Sequence, residues 1–370
     1  MKAAASDDLI AKILSLCVAM YAFIAVCWSI YWYMLKRRNE TPSLAAQRCR
    51  VGLLCVTWSS MSVGMHISNK VLMNSVHAPA VVSTVQMLIA VMVMTPIFGG
   101  QLLQVQGQAL RCWMIVPVFF AAMLCTSCYT YQYISLSFLT VVRNMTPLVV
   151  LPIEATMMPP EKQPQLTPMV VVALGVMIAG TVAYAGQMQK ISWIGIVFAA
   201  ANMILASCDR LIQRFLLTGV CSEMPSGVCT VLNNSLGMIP SFALALVTHQ
   251  VADIGNHAQV HGGWGDFRIL ILLALSGVIG IGICYLGFEC QREITATSFF
   301  VLQNVSKVAV VCAGILIFED PIRSPSSGIG LLLSIGGSFM YGKLQMSGPA
   351  EAKSLLKKVD GGAAVVWNKA

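Results

Sequence analysis

The chain has 370 residues, 57% of them hydrophobic and only 10% charged, with a formal net charge of +8. Soluble domains carry about 25% charged residues, so this composition cannot coat a water-facing surface and excludes a soluble globular protein. The excess of Lys and Arg follows the positive-inside rule of membrane proteins more simply than it implies a nucleic-acid partner.

Apolar segments long enough to cross a hydrocarbon core about 30 Å thick recur from end to end. The first, 9–35, is followed by Lys36, Arg37 and Arg38. It is long, rich in aromatic residues and lacks a small-residue cleavage site, which predicts a retained anchor helix rather than a signal peptide. Ten more spans are predicted at 51–73, 80–98, 112–131, 136–157, 167–186, 191–214, 226–248, 267–288, 294–317 and 326–345. One set of alternate connections carries Lys36 to Arg38, Arg48, Arg50, Arg111, Lys162, Arg210, Arg214 and Arg292, and the tail adds Lys353, Lys357 and Lys358. The other set is poorer in cations, and its longest member, 249–266, holds Asp253, Asp266 and three His. That asymmetry predicts a cytosolic C-terminus and, with eleven spans, a lumenal N-terminus. The loop histidines read as solvated residues rather than a metal site.

Thirteen Cys lie mostly inside apolar runs, where they act as small hydrophobes. Cys125 and Cys128 form a CxxC pair, but within a span, which argues against redox or metal chemistry. The sequons at Asn144, Asn233 and Asn304 also fall within spans, whereas a glycan acceptor needs an accessible loop.

An internal repeat organises the chain. Residues 137–150 read SFLTVVRNMTPLVV and residues 298–311 read SFFVLQNVSKVAVV. Ser137 and Phe138 align with Ser298 and Phe299, and Val149–Val150 with Val310–Val311, without gaps. A weaker pair is NKVLM at 69–73 and QRFLL at 213–217. Two tandem units of five helices, an odd number, sit upside down relative to each other. Such inverted repeats with a midplane site at their interface are a recurrent transporter design. The expectation is therefore an all-α integral membrane protein with a ten-helix inverted-repeat (5+5) core and one extra N-terminal helix. Its parts are an anchor and basic linker (1–50), two five-helix repeats (51–186 and 191–345) and a basic cytosolic tail (346–370).

A charge near the bilayer centre costs about 2.5–3.5 kcal/mol on insertion scales, so such residues face a cavity or a partner. Lys307 lies deep in its span, on one helical stripe with Phe299 and Gln303 at i, i+4 spacing. Arg143 and Asn144 stand at the matching depth of the earlier repeat, beside Thr146. Two cations facing each other across a pseudo-twofold suit an anion such as a phosphate; snorkelling to an interface is the structural alternative. Adjacent Asn233 and Asn234 offer donors and acceptors to a nucleobase edge, or glue helices together. Trp58, followed by Ser59, Ser60 and Ser62, offers either a stacking surface or ordinary packing. Pro147, Pro152, Gly277, Gly280 and Gly282 permit bending or close packing. No nucleophile–base pair, HExxH pattern or phosphate-cradling Gly loop is present, so no catalytic residue, metal or cofactor is predicted and an enzyme is not expected.

These residues resemble the nucleotide-sugar transporters of the drug/metabolite transporter superfamily, most of all the GDP-mannose transporter branch. That branch has an RxTSxTTYSxxGALNK stretch, and this chain reads Arg292-EITATSFFVLQNVS-Lys307 over the same distance. The family FYNN is similar to VLNN at 231–234, its KNLT to RNMT at 143–146, and its NK to Asn69–Lys70. The resemblance covers about residues 51–345. It implies exchange of a cytosolic nucleotide sugar for a lumenal nucleoside monophosphate by alternating access in the Golgi or ER membrane. It also implies that Asn233 and Asn234 read the base, that Phe299, Gln303, Asn304 and Ser306 meet the sugar and diphosphate, that Lys307 pairs with phosphate and that Arg143 adds charge on the facing helix. Implied partners are the two substrates, the lipid bilayer and a second copy in a homodimer, with no nucleic acid. The chain departs from the family pattern at Phe299, Gln303, Asn304, Ser306, Val231 and Leu232. QNVSK also resembles the GNxxK of the plastid sugar-phosphate/phosphate translocators, a sister family with Arg after the Lys, where this chain has Val308. A sugar-phosphate or other organic-anion carrier, and a non-transporting scaffold on the same fold, are the competing expectations.

Overall fold

A computed structural model describes residues 2–38, 44–157, 167–186, 192–217, 219–252, 254, 264–293, 296–318 and 325–344. The expectations for Lys162, Asp253, most of the 249–266 loop and the basic tail 346–370 lie outside these residues. In chain order the helices are α1 (Lys2–Arg38), α2 (Leu44–Val76), α3 (Pro79–Leu102), α4 (Gly107–Trp113) and α5 (Val116–Tyr133). They continue with α6 (Leu136–Asn144), α7 (Thr146–Met157), α8 (Pro168–Ala185), α9 (Trp193–Leu217) and α10 (Ser226–Val247). The last three are α11 (Phe267–Glu293), α12 (Ala296–Ile317) and α13 (325–344). The protein is an all-α membrane protein: nine spans among the described residues are long and apolar enough to cross a bilayer, and a tenth apolar segment, Leu302–Ile317, is shorter.

Two predicted spans prove to be broken helices, and each break has a proline behind it. Pro117 lacks the N–H that would bond the Trp113 carbonyl, and the chain turns between α4 and α5 there. Pro147 does the same to the Arg143 carbonyl, ending α6 at Asn144. Entry into the helices is fixed locally. The Ser135 hydroxyl accepts the Phe138 N–H at 3.2 Å at the start of α6, and Thr167 caps α8 ahead of Pro168.

The packing has a simple order. α3 packs on α10 and α6 on α12, while α5 lies along α9 and α11 along α2. α10 also touches α5, as α3 touches α11, and α12 meets α2 as α6 and α7 meet α9. These pairs are unchanged when α2, α3, α4–α5 and α6–α7 are exchanged in order for α9, α10, α11 and α12, but α2 also packs on α5 without a matching contact of that extent between α9 and α11. α1 stands outside that order, against α2 and α11, where the Trp28 indole N–H donates to the Thr57 hydroxyl at 3.0 Å.

Glycines let several helices meet at backbone distance. A methyl group at Gly180 of α8 would collide with the backbone of α13 at Leu333 and Ser334, and one at Gly330 would meet the backbone of Tyr184. In α11, Gly277 faces Ile89 and Gly282 faces Met61. There the glycines serve close packing within an unbroken helix rather than bending.

Candidate functional site

α6 and α12 cross in the core, and their cations meet there. The missing N–H of Pro147 leaves the Arg143 carbonyl outside the helical ladder. It is taken instead by the Thr146 hydroxyl and by the Lys307 ammonium, which donates at 3.3 Å. The two sequence-predicted cations, 164 residues apart in the chain, are thus joined through one backbone carbonyl. Arg143 itself is gripped from α9 and α5. Its Nε and Nη2 donate to Asn202 Oδ1 at 3.1 and 2.6 Å, and Nη2 also donates to Ser127 Oγ at 2.8 Å. These acceptors are neutral, so they orient the guanidinium without cancelling its charge.

His66 of α2 extends the cluster. Its Nδ1 is hydrogen-bonded to the Tyr131 hydroxyl, and its ring lies within electrostatic range of both Arg143 and Lys307. One turn further along α2, Lys70 donates to the Tyr131 and Ile134 carbonyls at 2.7 and 2.9 Å, capping the C-terminus of α5. On the other side, Ser306 of α12 and Ser59 of α2 share a hydroxyl–hydroxyl bond of 2.7 Å. Gln303, half-buried one turn before Lys307, completes the stripe.

At the near end of α12, the Trp58 and Phe299 rings pack 4.8 Å apart at 53°, and the Arg210 guanidinium lies 5.8 Å from the Phe299 centroid. Beyond them, Arg50 of α2 pairs with Glu293 at 3.0 Å and stands 3.9 Å from Glu289, both on α11.

The other predicted residues are engaged elsewhere. Asn144 donates to Ser334 Oγ at 3.3 Å and Asn304 to the Ser338 carbonyl at 3.2 Å, so both tie their helices to α13. Asn233 is fully buried and accepts the Trp113 indole N–H at 2.8 Å, while Asn234 donates to the Thr230 carbonyl of its own helix at 2.8 Å. The structure therefore brings together Arg143, Lys307, Gln303 and Ser306, with Phe299 and Trp58 beside them, and gives the four asparagines protein partners.

Sequence reasoning missed Asn202, Ser127, His66 and Tyr131, as well as Asp209, a buried carboxylate of α9 that accepts from Gln213 at 2.8 Å. A signal was present for two of them. Asn202 is the lone amide in the apolar run AAANMILA, and His66 sits four residues before Lys70 on the same face. No group of His, Cys, Asp and Glu among the described residues could hold a metal ion.

The profile of the triose-phosphate transporter family matches residues 49–342. The chain belongs to that family. Membership makes it a membrane transporter rather than an enzyme. Among its relatives is the GDP-mannose transporter GONST3 of Arabidopsis thaliana, 29% identical over 112 residues, or 30% of either chain. GONST2, a GDP-mannose transporter of the same plant, is 23% identical across 77% of this chain and 76% of its own. Phosphoenolpyruvate/phosphate translocator 3 of rice (Oryza sativa subsp. japonica), a chloroplastic protein, is 25% identical across 47% of this chain and 44% of its own. A crystal structure of a protein 14% identical in sequence superimposes with a TM-score of 0.52, covering 80% of this chain and 98% of that one, which shows the shared fold.

Proposed function

We propose that this transporter exchanges a GDP-sugar-like nucleotide sugar for a nucleoside monophosphate by alternating access, in the Golgi or ER membrane with its C-terminus in the cytosol. The observation that carries the reading is the convergence of Arg143 and Lys307 on one carbonyl, with Ser306, Ser59 and Gln303 beside them. A phosphate ester entering between α6 and α12 finds a guanidinium on one side and an ammonium on the other, inside a low-dielectric core that strengthens both contacts. Lys307 exchanges its carbonyl acceptor for a phosphate oxygen, so binding releases the α6–α12 contact that the empty carrier makes. The exchange of neighbours between the first and second groups of helices supports two inverted five-helix repeats, 51–186 and 191–345, that rock about this point. The Arg50 pair and the Trp58–Phe299–Arg210 packing are then the contacts that part when the cytosolic end opens. The helix Lys2–Arg38 is the separate anchor in this reading, and the first repeat's leading helix starts earlier than expected, at Leu44.

The engaged asparagines favour a second reading. Asn233 Oδ1 is taken by Trp113 and Asn234 Nδ2 by its own helix, so each amide has one end committed in this conformation, while Asn233 Nδ2 stays buried without a partner among the described residues. The relatives also include a phosphoenolpyruvate/phosphate translocator. A sugar-phosphate or related organic-anion substrate needs only the two cations and the hydroxyls. Counterflow into proteoliposomes separates the readings. Uptake of labelled GDP-mannose that is accelerated by internal GMP supports the first. Uptake driven by internal phosphate or triose phosphate, with no response to GMP, supports the second. Uptake as fast without any internal anion as with one contradicts exchange in either form.

A further inference from the structure

We infer that Asn202 is a positioning residue for the anion site: it aims the Arg143 guanidinium and leaves its charge uncompensated. This rests on the reading of Arg143 and Lys307 as the phosphate-binding pair.

Asn202 is completely buried in α9, facing α5. Its amide orientation is dictated by its surroundings. Nδ2 donates to the Met123 carbonyl at 2.7 Å and to Thr126 Oγ1 at 3.2 Å. Thr126 spends its own proton on the Ala122 and Met123 carbonyls, so its oxygen has lone pairs to accept with. With both amide protons committed to α5, Oδ1 has to face Arg143, where it takes Nε and Nη2. Ser127 Oγ fixes Nη2 from the adjoining turn of α5. The guanidinium is therefore locked in plane by two neutral acceptors, while Nη1 takes part in neither contact.

An aspartate would fit the same space and bond the guanidinium more strongly. It would also set an anion inside the site, and a buried Arg–carboxylate pair no longer attracts a phosphate as a lone guanidinium does. A leucine or alanine would leave Arg143 unaimed and would remove the donor that Asn202 supplies to the Met123 carbonyl. Only a neutral side chain with both an acceptor and donors meets the two demands together.

The test uses the purified full-length chain in detergent and reads ligand affinity by thermal stabilisation. The probes are GMP, a dianion near neutral pH, and its monomethyl ester, a monoanion; if GMP does not stabilise the wild type, glucose 6-phosphate and its methyl diester replace them. Asn202→Asp is expected to weaken the dianion by at least about tenfold and to erase the preference for dianion over monoanion. A purely structural defect would weaken both probes alike. Should Asn202→Asp not yield folded protein, Ser127→Asp places a carboxylate on the same guanidinium from α5 and is expected to erase the same preference.

Arg143→Gln keeps the two failures apart. If Arg143→Gln loses binding while Asn202→Asp, or its Ser127→Asp substitute, keeps the wild-type preference, the role of Asn202 is overturned and the anion site stands. If Arg143→Gln binds as the wild type does, or if no phosphate ester stabilises the wild type, the anion site fails and the inference fails with it.

Discussion

The two spans that bring cations to the core differ in one respect. Leu136–Met157 is broken at Met145 into α6 and α7, whereas Ala296–Ile317 runs unbroken as α12. Both carry their cation amid apolar residues, and in sequence the two look alike. The broken span contributes two things: a guanidinium held by α5 and α9, and a carbonyl that Pro147 has removed from the helical ladder. The unbroken span contributes an ammonium that reaches for that carbonyl. One cation is held by side chains of two helices and the other donates to a backbone carbonyl, and in the proposed mechanism the substrate replaces that second contact. The difference coincides with Pro147, whose missing N–H leaves the Arg143 carbonyl without its helical donor, although Pro96, Pro152 and Pro240 lie inside helices that continue past them.

Removing the exchangeable cation is the severest way to break this pairing. Lys307→Gln is expected to lower uptake into proteoliposomes by about thirtyfold or more, since losing one member of a buried charged contact costs at least about 2 kcal/mol. Its melting temperature without ligand should hold or rise, because a charge within the membrane interior is itself costly. A parallel loss of stability and uptake would instead make Lys307 a structural residue. Restoring the missing donor is the next step down. Pro147→Ala supplies an N–H that competes with Lys307 for the Arg143 carbonyl, and it should reduce uptake by about tenfold while leaving the thermal transition as high as wild type or higher. Equal uptake by this variant would detach the helix break from transport.

Asn233→Ala sharpens the choice between substrates. It strips the Trp113 indole of its acceptor and should cost about 1 kcal/mol of stability. If the nucleotide reading holds, stabilisation by GMP disappears as well; if only stability falls, Asn233 is a packing residue. The smallest effects belong to the pair bonded to α13. Asn144→Ala and Asn304→Ala should each cost about 0.6 kcal/mol, the average for a hydrogen bond between membrane helices, with transport unchanged. Loss of uptake in either variant would place α13 in the site.

Much of this fold was readable from the chain because hydrocarbon imposes length and apolarity on every span. The apolar spans follow from those two constraints alone. The helix breaks were half legible: Pro147 marks a weak point in the helix, but only the packing shows that Lys307 takes the freed carbonyl. The partners of the asparagines were not legible. An amide in an apolar helix satisfies itself with whichever helix lies opposite, and opposition is a matter of packing angle rather than of sequence. Asn144 and Asn304 therefore face α13, while Asn202, which carries no motif, aims the guanidinium. Likewise, Ser127 sits between the conspicuous cysteines 125 and 128, yet it is the serine that touches Arg143 while the thiols lie against Ser241 and Ser83.

The central claim, that Arg143 and Lys307 together form a phosphate-ester site, is tested most directly by ligand-induced thermal stabilisation. Wild type and Lys307→Gln would be compared against GMP, GDP-mannose and triose phosphate. A ligand at one hundred times its dissociation constant stabilises the folded state by about 2.7 kcal/mol. The account predicts that at least one of these esters gives such a shift in the wild type and that the same concentration gives none in Lys307→Gln. Equal stabilisation of the two proteins, or no response of the wild type to any phosphate ester, would contradict it.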